Sequence, residues 1–222
     1  MGKAAKGPDD RLERAAAHRH GGAVAGIDEA GRGPWAGPVV AAAVVLDLKR
    51  VPAGIDDSKA LSPEERERLF AEITASAEVG VGVVDVARID RDNILAATLA
   101  AMAHAFAALR TTPAVALVDG NRAPRLPCAV ETIVGGDARS LSIAAASIIA
   151  KVTRDRMMCD LALRYPGYGF ERHKGYGTAV HAAAIARLGV TPEHRRSFRP
   201  VRLALERGPD QSQISRFKRG RP

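Results

Sequence analysis

Residues 23–46 read AVAGIDEAGRGPWAGPVVAAAVVL, and the fold turns on them. A short apolar run, AVAGID, enters a glycine-rich turn. Pro34-Trp35-Ala36-Gly37-Pro38 makes the next turn, and residues 39–46 form a strand of Val and Ala. Further on, Ser62-Pro63-Glu64-Glu65 has capping-box spacing with proline at the first helical position, which predicts a helix over 63–75. Residues 78–86 (EVGVGVVDV) read as a third strand, and three strands so close in sequence predict an antiparallel meander. Beyond it, Leu95, Thr98, Leu99, Met102, Phe106 and Leu109 recur at helical spacing over 93–110. The strand at 114–118 (AVALV) ends at Asp119-Gly120, and another at 129–134 leads into Gly135-Gly136-Asp137. A long helix is predicted over 142–165, with Ser147, Lys151 and Asp155 on one face. Thr178 and Thr191-Pro192 start two brief helices, with Gly189 ending the first. Strands alternating with helices imply parallel pairing, so the chain is read as mixed α/β, a meander followed by β-α-β crossovers.

The 222 residues are 46% hydrophobic and 26% charged, enough apolar material for one core. Runs such as 39–46 fall far short of the roughly 18 residues that span a bilayer, so no membrane helix is expected. The first residues are charged without an apolar stretch, which predicts no secretory signal and a cytoplasmic protein. Cys128 and Cys159 lack metal-ligand spacing and are read as ordinary buried or semi-buried thiols. Of the net charge of +8, nearly all sits in residues 195–222, where nine Lys and Arg face only Glu206 and Asp210. Such a segment favours a polyanionic partner.

Four acids stand at expected strand ends or the turns after them: Asp28 and Glu29, Asp119, and Asp137. Asp-Gly and Gly-Asp are common turn chemistry, but four acids at strand ends point to a site. Clustered carboxylates repel one another, and a hard divalent cation with oxygen ligands is their natural complement. Neighbours on a regular strand face opposite ways, so Glu29 is expected in an irregular turn after the strand has ended. Gly31-Arg32-Gly33 permits close backbone approach to a ligand, with Arg32 suited to phosphate, and Lys59 is a further phosphate candidate. Residues 165–176 (YPGYGFERHKGY) interleave aromatics with cations, the pattern of a nucleic-acid platform. Tyr165 and Phe170 also suit packing, whereas Tyr176, flanked by glycines, is the harder to bury. His104 is read as structural.

Taken together and in order, D-E-A-G-R-G (28–33), D-S-K (57–59), V-D-G-N (118–121), G-G-D (135–137), S-I-A-A-A-S-I-I-A-K-V-T-R-D (142–155) and H-K-G-Y-G-T (173–178) resemble ribonuclease HII over roughly 24–201. The resemblance implies an RNase H-like α/β fold, a five-stranded mixed sheet flanked by helices, with a small helical C-terminal extension. It places Asp28, Glu29, Asp119 and Asp137 on the family's metal-binding acids and implies two Mn²⁺ or Mg²⁺ ions, one activating water and the other stabilising the leaving 3′-oxygen. Cleavage is then expected in RNA/DNA hybrids and on the 5′ side of ribonucleotides embedded in duplex DNA, leaving 5′-phosphate and 3′-hydroxyl ends. Gly31, Arg32 and Gly33 match the motif that senses the 2′-hydroxyl, and Tyr176 the tyrosine that stacks on the adjacent deoxyribose.

Two other readings share these features: another RNase H-like nuclease such as ribonuclease HIII, and a noncatalytic nucleic-acid-binding module of the same fold. The expected organisation is a flexible arm over 1–22, a catalytic domain over 23–203 and a basic tail over 204–222, in a monomer. Within the tail, Gln213-Ile214-Ser215-Arg216-Phe217 resembles short peptides that dock on bacterial sliding clamps.

Overall fold

In the computed structural model, which describes residues 7–207, five strands form one mixed sheet in the order β3-β2-β1-β4-β5. They are β1 Val24–Ala30, β2 Val39–Val45, β3 Glu78–Val84, β4 Val115–Asp119 and β5 Ala129–Ile133. The meander is antiparallel, with Gly26 opposite Val44 and Ala30 opposite Val40 in β1/β2, and β3 continuing beyond β2. The crossovers then add β4 parallel to β1 and β5 parallel to β4. The helices are α1 Arg11–His20, α2 Pro63–Ser76, α3 Val86–Asp92, α4 Ile94–Ala107, α5 Leu141–Arg164, α6 Phe170–His173, α7 Ala179–Leu188 and α8 Arg199–Arg207. None is long and apolar enough to cross a membrane.

Side chains alternate across the sheet and supply two cores. Ala41 and Ala43 of β2 pack with Ala101, Met102 and Phe106 of α4 on one face, whereas Ala42 and Val44 pack with Leu69 and Ile73 of α2 and Ile148 of α5 on the other. Glycines set how near the helices come. A Cβ at Gly80 or Gly82 would lie 2.1 Å from Ala105 O or 2.0 Å from Ala101 O, so α4 rests directly on the β3 backbone. The expected stripe is buried at Thr98, Met102, Phe106 and Leu109, with Leu99 packed against the same core, while the close contact adds Ala97, Ala101 and Ala105 to it and Leu95 is exposed. Likewise α5 crosses β1 at Gly26, where a Cβ would stand 2.1 Å from the Ser142 carbonyl carbon.

Several expectations need correction. Residues 11–20 are not part of a flexible arm; they form α1, whose Ala16 is fully buried in a cluster with Val115, Leu117, Ile133 and Ile143. Only Leu12 and Ala16 meet that cluster, too few apolar residues to produce a legible period. Asn93, with φ 71°, ends α3 and caps α4 through Oδ1, so the single helix expected over 93–110 is preceded by a separate turn of helix. Thr191 caps a turn, accepting from Glu193 N at 3.2 Å, and the last helix starts only at Arg199 and runs across the expected 203/204 boundary, burying Val201. Cys159 is exposed; Cys128 is half-buried.

Because α5 carries residues that line the site described below, its seat on Gly26 positions them as well as stabilising the core. Gly26→Ala should cost about 3 kcal/mol or more, since neither backbone can retreat. Urea denaturation checks this, and a loss below about 1 kcal/mol would show that the contact is softer than the geometry implies.

Candidate active site

Strands β1 and β4 run side by side with Ile27 opposite Val118, so the next residues, Asp28 and Asp119, emerge together at their carboxyl ends. After β5 the chain turns at Gly135, with φ 64°, into a single 3-10 turn, Gly136–Ala138, that brings Asp137 to the same place. Asp28, Asp119 and Asp137 each present a carboxylate oxygen within 4.8 Å of the others. Gly136 N donates to Asp119 Oδ1 at 2.7 Å, Glu29 N to Asp28 Oδ1 at 2.7 Å, and Ala138 N to Asp137 Oδ1 at 3.1 Å. These amides aim the carboxylates without neutralising them.

The expected irregular turn at Glu29 is not there. The ladder continues through Glu29, opposite Ala41, to Ala30, and the chain breaks only at Gly31, with φ 99°. Glu29 therefore lies outside the converging trio, its Oε1 accepting from Arg32 Nη1 at 3.2 Å, although its side chain lines the same cavity of about 480 Å³. Burial, then the charges of Glu29 and Asp119, push Asp28 well above the usual carboxylate range; burial also raises Glu29, against the opposing pull of Arg32, and raises Asp119. Lys59 reaches across from the loop before α2, its Nζ donating to Asp137 Oδ2 at 3.0 Å. Burial alone would lower the ammonium, but Asp137 and Asp57 outweigh it and hold Lys59 charged.

On the other side of the cavity lie Gly31, Arg32, Gly33 and Tyr176. Tyr176 keeps 48% of its surface exposed, and a Cβ on Gly33 would sit 3.6 Å from its ring. Most of the expected aromatic platform packs inward: Phe170 and Tyr168 are buried and stacked, Tyr165 is half-buried against the same cluster, and His194 and His181 join them. His181 holds the segment from beneath, Nδ1 lying 2.9 Å from Tyr176 O and Nε2 3.0 Å from His194 Nε2; burial pushes both imidazoles down to about 4, so both are neutral at physiological pH.

Two residues that sequence reasoning passed over organise this side. Arg195, counted above with the basic tail, is fully buried, and its guanidinium donates to Gly31 O (2.6 Å), Arg32 O (3.0 Å), Gly37 O (3.0 Å) and Pro38 O (3.1 Å). Arg154 of α5 donates to Pro38 O (2.9 Å), Ala36 O (3.1 Å) and Lys174 O (3.0 Å), tying the Gly31 loop to the Tyr176 loop. Neither has a carboxylate partner among the described residues, and burial pushes them down to about 9 and about 10. With the Gly31 and Arg32 carbonyls held inward, the Arg32 and Gly33 N–H groups on the same peptide planes point away from the clamp. The signals for Arg154 were its place in the 142–155 motif and its helical spacing, seven residues from Ser147; Arg195 lies outside every quoted motif.

A mixed five-stranded sheet with acids converging at the ends of its central strands defines an RNase H-like nuclease. A family model described as ribonuclease HII matches residues 25–201. Ribonuclease HII of Azorhizobium caulinodans is 62% identical over 179 residues, 81% of this chain and 69% of that protein. Among solved structures, ribonuclease H2 from Pyrococcus horikoshii aligns with a TM-score of 0.70 at 31% identity, covering 83% of this chain and 98% of that one. Ribonuclease HII of Archaeoglobus fulgidus, in a complex with PCNA, aligns at 0.67 and 29%, covering 80% and 95%. The chain belongs to the ribonuclease HII family, and its activity is that of a ribonuclease H endonuclease. The ribonuclease HIII and noncatalytic readings are set aside.

The raised Asp28 carries a pH signature. Its proton is held more tightly in the folded than in the unfolded chain, so with EDTA present stability falls as pH rises from the unfolded value through the folded one. Asp28→Asn removes this dependence. The variant should melt above the parent in EDTA at pH 8 and converge with it at pH 4; equal melting temperatures at pH 8 would show that Asp28 is not held protonated by its surroundings.

Proposed function

We propose that Asp28, Asp119 and Asp137, with Glu29 at the cavity edge, hold divalent cations, Mn²⁺ or Mg²⁺, for hydrolysis of a phosphodiester on the 5′ side of a ribonucleotide. The observation that carries this reading is the convergence of three carboxylates, two of them buried, which offer hard oxygen donors suited to such ions; burial and neighbouring acids raise Asp28. When bound, the cations would supply a nucleophilic hydroxide and charge stabilisation of the leaving 3′-oxygen, giving 5′-phosphate and 3′-hydroxyl products. The chain's own residues orient the strand. Lys59, which donates to Asp137 and is otherwise largely exposed, would contact phosphate. Arg32 meets the backbone of the RNA/DNA hybrid, or of ribonucleotide-containing duplex DNA. The outward N–H groups of Arg32 and Gly33 are placed for a 2′-hydroxyl, and the exposed ring of Tyr176 for the neighbouring deoxyribose. A ribose on one side and a deoxyribose on the other is the junction this pairing discriminates.

The segment Gln213 to Phe217 lies outside the described residues. Its likeness to clamp-docking peptides, together with the relative from Archaeoglobus fulgidus found with PCNA, supports a sliding clamp as partner of this chain.

A labelled DNA duplex carrying one ribonucleotide, incubated with Mn²⁺, with Mg²⁺ and with EDTA, tests the reading. A nick 5′ of the ribonucleotide is expected with metal and not with EDTA. Asp119→Asn should lower the rate at least about 1000-fold while binding to the duplex persists, as expected when transition-state charge stabilisation is lost. Undiminished cleavage by Asp119→Asn would overturn the site assignment.

A further inference from the structure

The helix α1 lies before the residues that the family model matches, 25–201, yet it is joined to the segment that carries Asp137 at both of that segment's ends. At the upstream end, Arg19 Nη2 donates to Glu131 Oε2 of β5 at 2.6 Å, and His20 Nε2 lies 2.9 Å from Glu131 Oε1. At the downstream end, Leu141 N donates to Asp9 O at 3.3 Å, and Glu13 Oε1 accepts from Ser140 Oγ (2.5 Å), Ser142 N (2.8 Å) and Ser142 Oγ (2.7 Å). Glu13 is only 2% exposed, and its Oε2 has no hydrogen-bond partner among the described residues. A buried carboxylate half left unsatisfied is costly to keep, so its retention calls for an explanation.

What Glu13 grips leads directly to the acids. Ser140 caps α5 by accepting from Ile143 N at 3.2 Å, and its own N–H donates to Gly136 O at 2.8 Å. Gly136 N in turn holds Asp119 Oδ1, and Asp137 is the next residue. The turn itself begins with Gly135-Gly136 and has little stiffness of its own. Movement of Ser140 would thus displace two of the three converging carboxylates together.

We propose that Glu13 is a positioning residue for the divalent-cation site, and that α1 is an integral support of that site; this rests on the cation reading of Asp28, Asp119 and Asp137. A charged acceptor serving three donors anchors Ser140 and Ser142 more firmly than a neutral one. Removing it loosens the turn while leaving Gly31, Arg32, Gly33 and Tyr176, on the opposite wall, in place.

The test uses the full chain, with Mn²⁺ binding measured by calorimetry for the parent, Glu13→Ala, Glu13→Gln and Asp137→Asn, beside melting temperature and affinity for a ribonucleotide-containing duplex in EDTA. Mn²⁺ affinity should fall about five-fold in Glu13→Ala and about two-fold in Glu13→Gln, below the usual range for groups hydrogen-bonded directly to metal ligands because Glu13 acts through the Ser140 turn. Duplex affinity should stay unchanged. If Glu13→Ala does not fold, Glu13→Gln, which keeps the shape and one acceptor oxygen, decides. Parental Mn²⁺ affinity in the folded Glu13 variants, whatever their melting temperatures, would make Glu13 a structural cap only and overturn the proposal. Equal Mn²⁺ binding by the parent and Asp137→Asn would instead overturn the cation reading, and the proposal with it.

Discussion

Three like charges held within 4.8 Å of one another are the constraint on which the rest of this structure depends. Left to themselves the carboxylates of Asp28, Asp119 and Asp137 would separate or take up protons, and Asp28 is raised first by its burial and then by the charges of Glu29 and Asp119. The fold confines them by ordinary means. Parallel pairing of β1 and β4 fixes the first two side by side, and a glycine turn after β5 delivers the third. Lys59 relieves one of them and none of the backbone amides relieves them fully, so the site is left poised for a cation.

The opposite wall is organised by the inverse problem, two buried cations without acids. Arg154 and Arg195 are satisfied by seven hydrogen bonds to backbone carbonyls, which fix the Gly31 to Pro38 loop and join it to Lys174. Buried guanidiniums tolerate this better than ammoniums would, since a planar fork meets several carbonyls at once. One cavity is therefore lined both by the carboxylates of Asp28, Glu29 and Asp119 and by the Gly31 to Gly33 segment that these cations clamp.

The sheet and its acids were legible because their signals are local. Val-Ala strands, the Ser62 capping box, Asp119-Gly120 and Gly135-Gly136-Asp137 each carry their meaning within a few residues. What the sequence concealed depends on contacts between distant segments. Arg195 has the composition of a basic tail and becomes a core residue only because the Gly31 loop folds over it, while Glu13 sits in a stretch with no apolar period and acquires its role from Ser140 and Ser142, more than 120 residues away. Glu29 fell between these cases. Alternation along a strand led to the expectation of an irregular turn at Glu29, and the structure instead keeps it in the strand and out of the trio. In α4 the helical period and most of the buried stripe were legible, and what the period did not show is the set of alanines that pack on the β3 backbone at Gly80 and Gly82.

The central claim is that Asp28, Asp119 and Asp137 together form a divalent-cation site. Anomalous diffraction at the manganese edge from a crystal soaked in Mn²⁺ tests it most directly. A peak bounded by all three carboxylates is expected, at coordination distances of about 2.0–2.5 Å, as hard oxygen ligands require. A peak confined to other acids, or occupied sites elsewhere with none at these three, would contradict it.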